Sequence, residues 1–133
     1  MLSAHDGYEV RPGAEAGEVA AAQAALGAVF HEDLRQLYLA SDGVFDRVGQ
    51  WFVIWPLAEV VIRNRKAWSW KDSAARRRLM GFGDDGTGAP FCVPRDGSGG
   101  VLAWSAISGE ATVLAGSVAA FWSGWLASTL PPH

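Results

Sequence analysis

The run Gly81-Phe82-Gly83-Asp84-Asp85-Gly86-Thr87-Gly88 lies between Leu79-Met80 and Ala89-Pro90-Phe91-Cys92-Val93, and it constrains the fold more than any other stretch. Its Gly81-x-Gly83-x-x-Gly86 spacing is that of a dinucleotide fingerprint. That motif must open a helix, because the first amides of the helix hold the pyrophosphate. Here Pro90 and an apolar, β-type run follow instead. Asp84 and Asp85 stand where phosphates would lie, and no Lys follows the last Gly as a Walker-type loop requires. Glycine and aspartate are turn formers, so the segment is predicted to be a tight acidic turn joining two short strands. No cofactor is expected, and the reading moves toward a binding module.

The remaining elements follow from periodicity. Glu15 to Leu26 is an alanine-rich helix closed by Gly27, and His31 to Ala40 is a second, with Leu34, Leu37 and Tyr38 on one side, ending before the turn pair Asp42-Gly43. Trp51 to Trp55 is apolar on both faces and reads as a covered strand. Pro56 starts a helix with Leu57, Val60 and Val61 inward, running to about Trp68. Lys71 to Arg78 reads as a polar, basic connector. Short strands are expected near Leu79–Phe82, Ala89–Pro94, Val101–Trp104 and Ala111–Leu114, joined by Gly-rich turns. From Thr112 to Leu130 no side chain is formally charged, but small polar residues interrupt the run and no Lys or Arg flanks it, so a membrane span is rejected. The better parse is a strand, a turn at Ala115-Gly116 and a helix capped by Ser117, with Val118, Phe121, Trp122, Trp125 and Leu126 forming its apolar stripe. Ala119, Ser123 and Ala127 face away, an uncharged surface on which a second copy could pair.

Helices come early, strands late, and a helix closes the chain. That order predicts an α+β fold: a single domain over residues 15–130 with a largely antiparallel sheet and flanking helices, preceded by an irregular segment, residues 1–14. At 133 residues the chain can bury a core without staples, and its net charge of −3 gives no reason to expect nucleic acid. The lone cysteine, Cys92, sits in an apolar strand and reads as a buried small hydrophobe. A cytoplasmic location is expected, since the N-terminus shows neither the basic start nor the apolar core of a signal peptide.

Catalytic groupings are not found. His5, His31 and His133 are far apart, no serine sits in a nucleophile elbow, and Asp84-Asp85 lacks the alternating ligands of a calcium loop. Arg76-Arg77-Arg78 reads as a solvated connector. Seven tryptophans exceed what a core of this size needs, which leaves Trp51, Trp68 or Trp70 as exposed anchors of an interface.

The phrase Ala25-Leu26-Gly27-Ala28-Val29-Phe30-His31-Glu32-Asp33-Leu34-Arg35-Gln36-Leu37-Tyr38, followed by Ser41-Asp42-Gly43, resembles the helix-helix opening of SUKH-type domains. The resemblance continues through Pro56-Leu57-Ala58-Glu59-Val60 with Asn64, the Gly83–Gly88 turn, the Val101–Trp104 strand and the Ser117–Leu126 helix. Val29-Phe30 departs from the family's usual Leu-Pro. The resemblance implies an α+β domain without catalysis, used in bacteria as an immunity protein that binds and blocks a cognate toxin; fungal relatives are regulatory scaffolds in cell-wall synthesis. A toxin with a basic cleft would be drawn to acidic turns. The candidate partner contacts are therefore Asp46, Asp84, Asp85 and Asp96, with Trp51 as an anchor. The alternative is a scaffold that binds a non-toxin partner or itself. Asp84 and Asp85 are not expected to matter for folding, whereas Gly83, Gly86 and Gly88 are, through positive φ that other residues adopt only at a cost.

Overall fold

The computed structural model describes residues 7–70 and 74–132. In chain order it contains β1 (Tyr8–Val10), α1 (Ala16–Leu26), α2 (Glu32–Ala40), β2 (Val44–Asp46), β3 (Trp51–Ile54) and α3 (Leu57–Trp68). A single 3-10 turn at Arg76–Arg78 leads into β4 (Leu79–Asp84), β5 (Pro90–Pro94), β6 (Val101–Ser105), β7 (Glu110–Ala115) and α4 (Val118–Ala127). The strands form one seven-stranded antiparallel sheet in sequence order. The α+β prediction is borne out.

Two helices bury residues of the stripes that their spacing announced, Leu34, Leu37 and Tyr38 on α2 and Val118, Phe121 and Trp122 on α4, while α1 buries Val19, Ala22 and Leu26. Gly27 ends α1 in the left-handed conformation, with φ 57° and ψ 40°. Ser117 caps α4 by accepting from the Ala120 N–H at 3.1 Å, and Asp33 of α2 accepts from the Val118 N–H at 2.7 Å, so two oxygens satisfy the helix start. Phe121 meets Phe82 and Phe91 edge-on, with centroids 5.7 Å and 4.7 Å apart. Each of these fully buried rings contributes on the order of 2–3 kcal/mol through burial.

Three sequence expectations need correction. Residues 1–14 were expected to be irregular, yet Tyr8–Val10 forms the edge strand β1, paired with β2. Both strands are three residues long, too short for alternation to register. The Arg76–Arg78 stretch was read as solvated, but Arg76 is only 5 % exposed. Trp125, expected on the inner stripe, is half-buried: it meets the Phe91 ring edge-on at 5.5 Å, and its Nε1–H donates to the Tyr8 hydroxyl at 2.9 Å. The expected outer face of α4 is as read, with Ala119, Ser123 and Ala127 exposed. Trp55 falls one residue beyond the end of β3, and His5, His133 and the first part of the basic connector, residues 71–73, lie outside the described residues.

Strand register assigns the two faces of the sheet. Phe91 pairs with Ala103, and both lie on the side packed by α4. The neighbouring row, Gly81, Cys92, Leu102 and Val113, runs across four strands on the other face. Burial fades along that row, from Gly81 and Cys92, both buried, through a half-buried Leu102 to Val113 at 65 % exposure. That side of the sheet is uncovered toward β7.

Candidate interaction site

The site begins where β4 loses a neighbour. β3 meets β4 at one register pair, Ile54 with Gly83, and Pro56 then turns the chain out of the sheet. Beyond that point the Leu79–Gly81 edge of β4 needs other partners, because backbone groups buried without them are costly. Asn64 of α3 supplies them. Its Nδ2 donates to the Gly81 carbonyl at 2.7 Å and its Oδ1 accepts from the Gly81 N–H at 2.7 Å, so the carboxamide replaces a strand. Asn64 also donates to the Val60 carbonyl at 2.7 Å and accepts from Arg76 Nη2 at 3.1 Å. Trp68 Nε1 and Arg76 Nη1 both donate to the Leu79 carbonyl, at 3.0 Å and 2.6 Å. The packing at Gly81 is close: a Cβ would lie 3.1 Å from both Arg76 Nη2 and the Trp55 ring.

This lateral seal places side chains from α3, the 3-10 turn and β4–β6 around a cleft of about 560 Å³. Trp55, Trp70, Trp104, Pro90 and Ala67 make it apolar; Arg63, Lys66, Arg76 and Asp84 bring charge. Arg63 lies over the Trp55 ring at 4.8 Å and pairs with Glu59 at 3.0 Å. Trp70 is 64 % exposed. A shallower depression of about 270 Å³, lined by Thr87, Ala89, Ser105, Ile107 and Thr112 among others, shares Gly88, Trp104 and Ala106 with the cleft and extends it toward β7.

The acidic turn stands at the rim. β4 and β5 pair antiparallel around it, as the sequence predicted, and no helix follows. Gly86 and Gly88 take φ 89° and 94°, whereas Gly83 is required for a different reason: a Cβ would lie 1.9 Å from the Val53 carbonyl oxygen. Asp84 accepts from the Gly86 N–H at 2.7 Å through Oδ1 and from Trp55 Nε1 at 3.2 Å through Oδ2; its own carbonyl accepts from Trp51 Nε1 at 3.1 Å. Asp85 Oδ1 accepts from the Thr87 N–H at 2.9 Å and hydroxyl at 2.6 Å. Asp46 Oδ1 closes the β2–β3 turn by accepting from the Val48 and Gly49 N–H groups, both at 2.9 Å.

Asp46 and Trp51 are register partners, and Trp51 is bonded to Asp84, so the structure brings Asp46, Trp51, Asp84 and Asp85 to one end of the sheet. Asp96 is not among them. It follows β5 at the opposite end, beside Val29 and the α1–α2 connection, where Arg95 accepts from the Val29 N–H. The hydroxyl of Ser98, hydrogen-bonded to Asp96, is the main cause holding that carboxyl below its ordinary range. Each of the four aspartates closes its own turn, and the Asp84 carboxylate also holds Trp55, while Trp51 is held by the Asp84 backbone carbonyl. Its side chain is therefore structural as well as acidic, contrary to the expectation that it is dispensable for folding.

Of the tryptophans expected as anchors, Trp70 is exposed, Trp51 is half-buried at the rim, and Trp68 is half-buried beneath the Arg95 guanidinium at 3.8 Å. Trp104 and the Arg63–Lys66 wall of α3 were missed. The wall had a signal, since the two residues are three apart on a polar helix face; Trp104 had none, because its exposure depends on what fails to cover β6. Cys92 is fully buried and its thiol is pushed up to about 11 by that burial, slightly offset by Arg76. Among the described residues no group of three or more His, Cys, Asp or Glu is placed to hold a metal ion, and no described helix is long and apolar enough to cross a membrane.

A sheet packed by helices on one side, with a tryptophan-lined cleft and an uncovered apolar flank on the other, defines a domain built to present a surface. Residues 13–124 match the model of the SMI1 / KNR4 family (SUKH-1), and the chain belongs to that family. Its members are generally non-enzymatic domains of the immunity and regulatory type. No curated protein matches the chain in sequence.

Proposed function

We propose that this protein is a bacterial, cytoplasmic immunity protein that binds a cognate toxin domain and blocks it by covering its working surface. The observation that carries this reading is the uncovered side of the sheet. Trp70, Ile107 and Val113 are 64 %, 101 % and 65 % exposed around a cleft walled by Trp104, and aromatic side chains in concave apolar surroundings are the usual anchors of protein interfaces. The acidic end with Asp46, Trp51, Asp84 and Asp85 adjoins this surface and would steer a basic toxin toward it. Asp96 lies at the other end and takes no part in that contact.

The test is co-expression with the product of the neighbouring gene as candidate toxin. The wild-type chain should restore growth and co-purify with the toxin, and Trp70→Ala should weaken the complex without lowering the melting temperature. A chain that neither protects nor forms a complex removes the immunity reading.

A scaffold role is the second reading. It is supported by the outer face of α4, where Ala119, Ala120, Ser123 and Ala127 are all exposed and uncharged. A concentration-dependent dimer abolished by Ala120→Glu would favour it.

A further inference from the structure

The geometry points to one occupant for the cleft: an extended acidic segment of the partner protein, its carboxylate against Lys66 and Arg76 and its apolar neighbours between Trp70 and Trp104. This deepens the partner-binding reading above and rests on it.

The first argument is sign. Among the described residues the lining carries Arg63, Lys66 and Arg76 against one carboxylate, Asp84, although the chain as a whole has a net charge of −3. Asp84 is already committed, with one oxygen on the Gly86 N–H and the other on Trp55 Nε1. Arg63 is paired with Glu59, whereas Lys66 forms no ion pair among the described residues.

The second is burial. Arg76 is 5 % exposed, yet its acceptors are the neutral Leu79 carbonyl and Asn64 Oδ1, and no carboxylate among the described residues pairs with it. A guanidinium has five N–H donors, and an arginine taken out of water without a counter-ion is costly. A carboxylate arriving in the cleft relieves that cost in a low-dielectric setting, where the attraction is strongest.

The third is shape. The cleft of about 560 Å³ shares Gly88, Trp104 and Ala106 with the depression of about 270 Å³ over Thr87, Ser105 and Ile107, more room than one side chain fills. A small anion alone would leave the aromatic walls in water. A peptide strand fills the trough, covers the rings and delivers the charge at once.

The experiment is selection of displayed random peptides on the purified chain. Enriched sequences are then synthesised and measured by fluorescence anisotropy against wild type, Lys66→Glu and Trp70→Ala. Both positions are exposed, so the variants should keep the wild-type circular dichroism. The expected result is enrichment of Asp or Glu beside apolar residues. Lys66→Glu, Trp70→Ala and replacement of the peptide carboxylates by amides should each weaken binding about tenfold, and the charge effects should shrink as salt is raised. Failure to enrich, enrichment of basic or uncharged sequences, or equal binding to the variants overturns the inference. So does displacement of the peptide by inorganic phosphate at comparable concentration, which would mean a simple anion site. If growth rescue by the neighbouring toxin test succeeds while acidic peptides fail, only the occupant is wrong. If acidic peptides bind through Lys66 and Trp70 but no toxin is blocked, the immunity role alone is lost.

Discussion

Asn64→Leu tests the account of how β4 is held. The substitution keeps the branching at Cγ and does not lower the helix propensity of α3, but it removes all four hydrogen bonds of a fully buried carboxamide. The Gly81 N–H and carbonyl are stranded in the interior, and Arg76 loses one of its two acceptors. A buried group left without a partner costs about 1–3 kcal/mol, so two backbone groups plus a weakened guanidinium sum to roughly 3–6 kcal/mol. Against a total stability of about 5–15 kcal/mol this is a large share. For a domain of this size it lowers the melting temperature by roughly 10–25 °C. Urea and thermal unfolding followed by circular dichroism measure it directly. The control is Ile62→Gln, two residues away on the solvent side at 62 % exposure, which should stay within about 0.5 kcal/mol of wild type. If Asn64→Leu melts within about 3 °C of wild type, the carboxamide is not what replaces the missing strand.

Gly83→Ala should destabilise by about 1–3 kcal/mol or more, because its Cβ would sit 1.9 Å from the Val53 carbonyl oxygen and force β3 and β4 apart; unchanged urea midpoints would refute the close approach. Asp84→Asn should cost about 1–3 kcal/mol, since an amide group turned toward Trp55 Nε1 sets donor against donor; a variant as stable as wild type would reduce the loop to a charge carrier. Stability should fall as pH rises above the thiol's ordinary 9.0 and level off near 11, because Cys92 stays protonated in the folded chain after the unfolded chain has lost its proton; the loss should reach about 2–3 kcal/mol and be absent in Cys92→Ala. Burial raises the Tyr38 hydroxyl in the same direction, so that variant should still lose stability at higher pH. Trp125→Ala should cost less than the roughly 3–5 kcal/mol of a fully buried tryptophan, and a double cycle with Tyr8→Phe should show coupling through the hydrogen bond between them.

Most of the architecture was legible because it depends on local rules. The period of Leu34, Leu37 and Tyr38, the Ser117 cap, the Gly27 stop and the Pro90 run after an acidic glycine turn each specify their element without reference to the rest of the chain, and together they gave α+β and excluded a phosphate loop. The helix-helix opening pointed to the family. The strands β1 and β2 escaped because three residues cannot display a period. The candidate site was only partly readable for a different reason. Asp46, Trp51, Asp84 and Asp85 come together because β2–β3 and β4–β5 turn at the same end of the sheet, while Asp96 is sent to the other end by the direction of β5. Arg76 looked like one of three solvated arginines, and only the β4 edge left open by Pro56 gives it a carbonyl to hold and a reason to be buried. Trp104 is half-buried and Val113 exposed because α4 packs the opposite face of their strands and, among the described residues, nothing fully covers this one. Local chemistry determines which segments turn, cap and coil; whether a tryptophan becomes core or surface depends on what the rest of the chain lays over it, and that is a property of the assembled sheet.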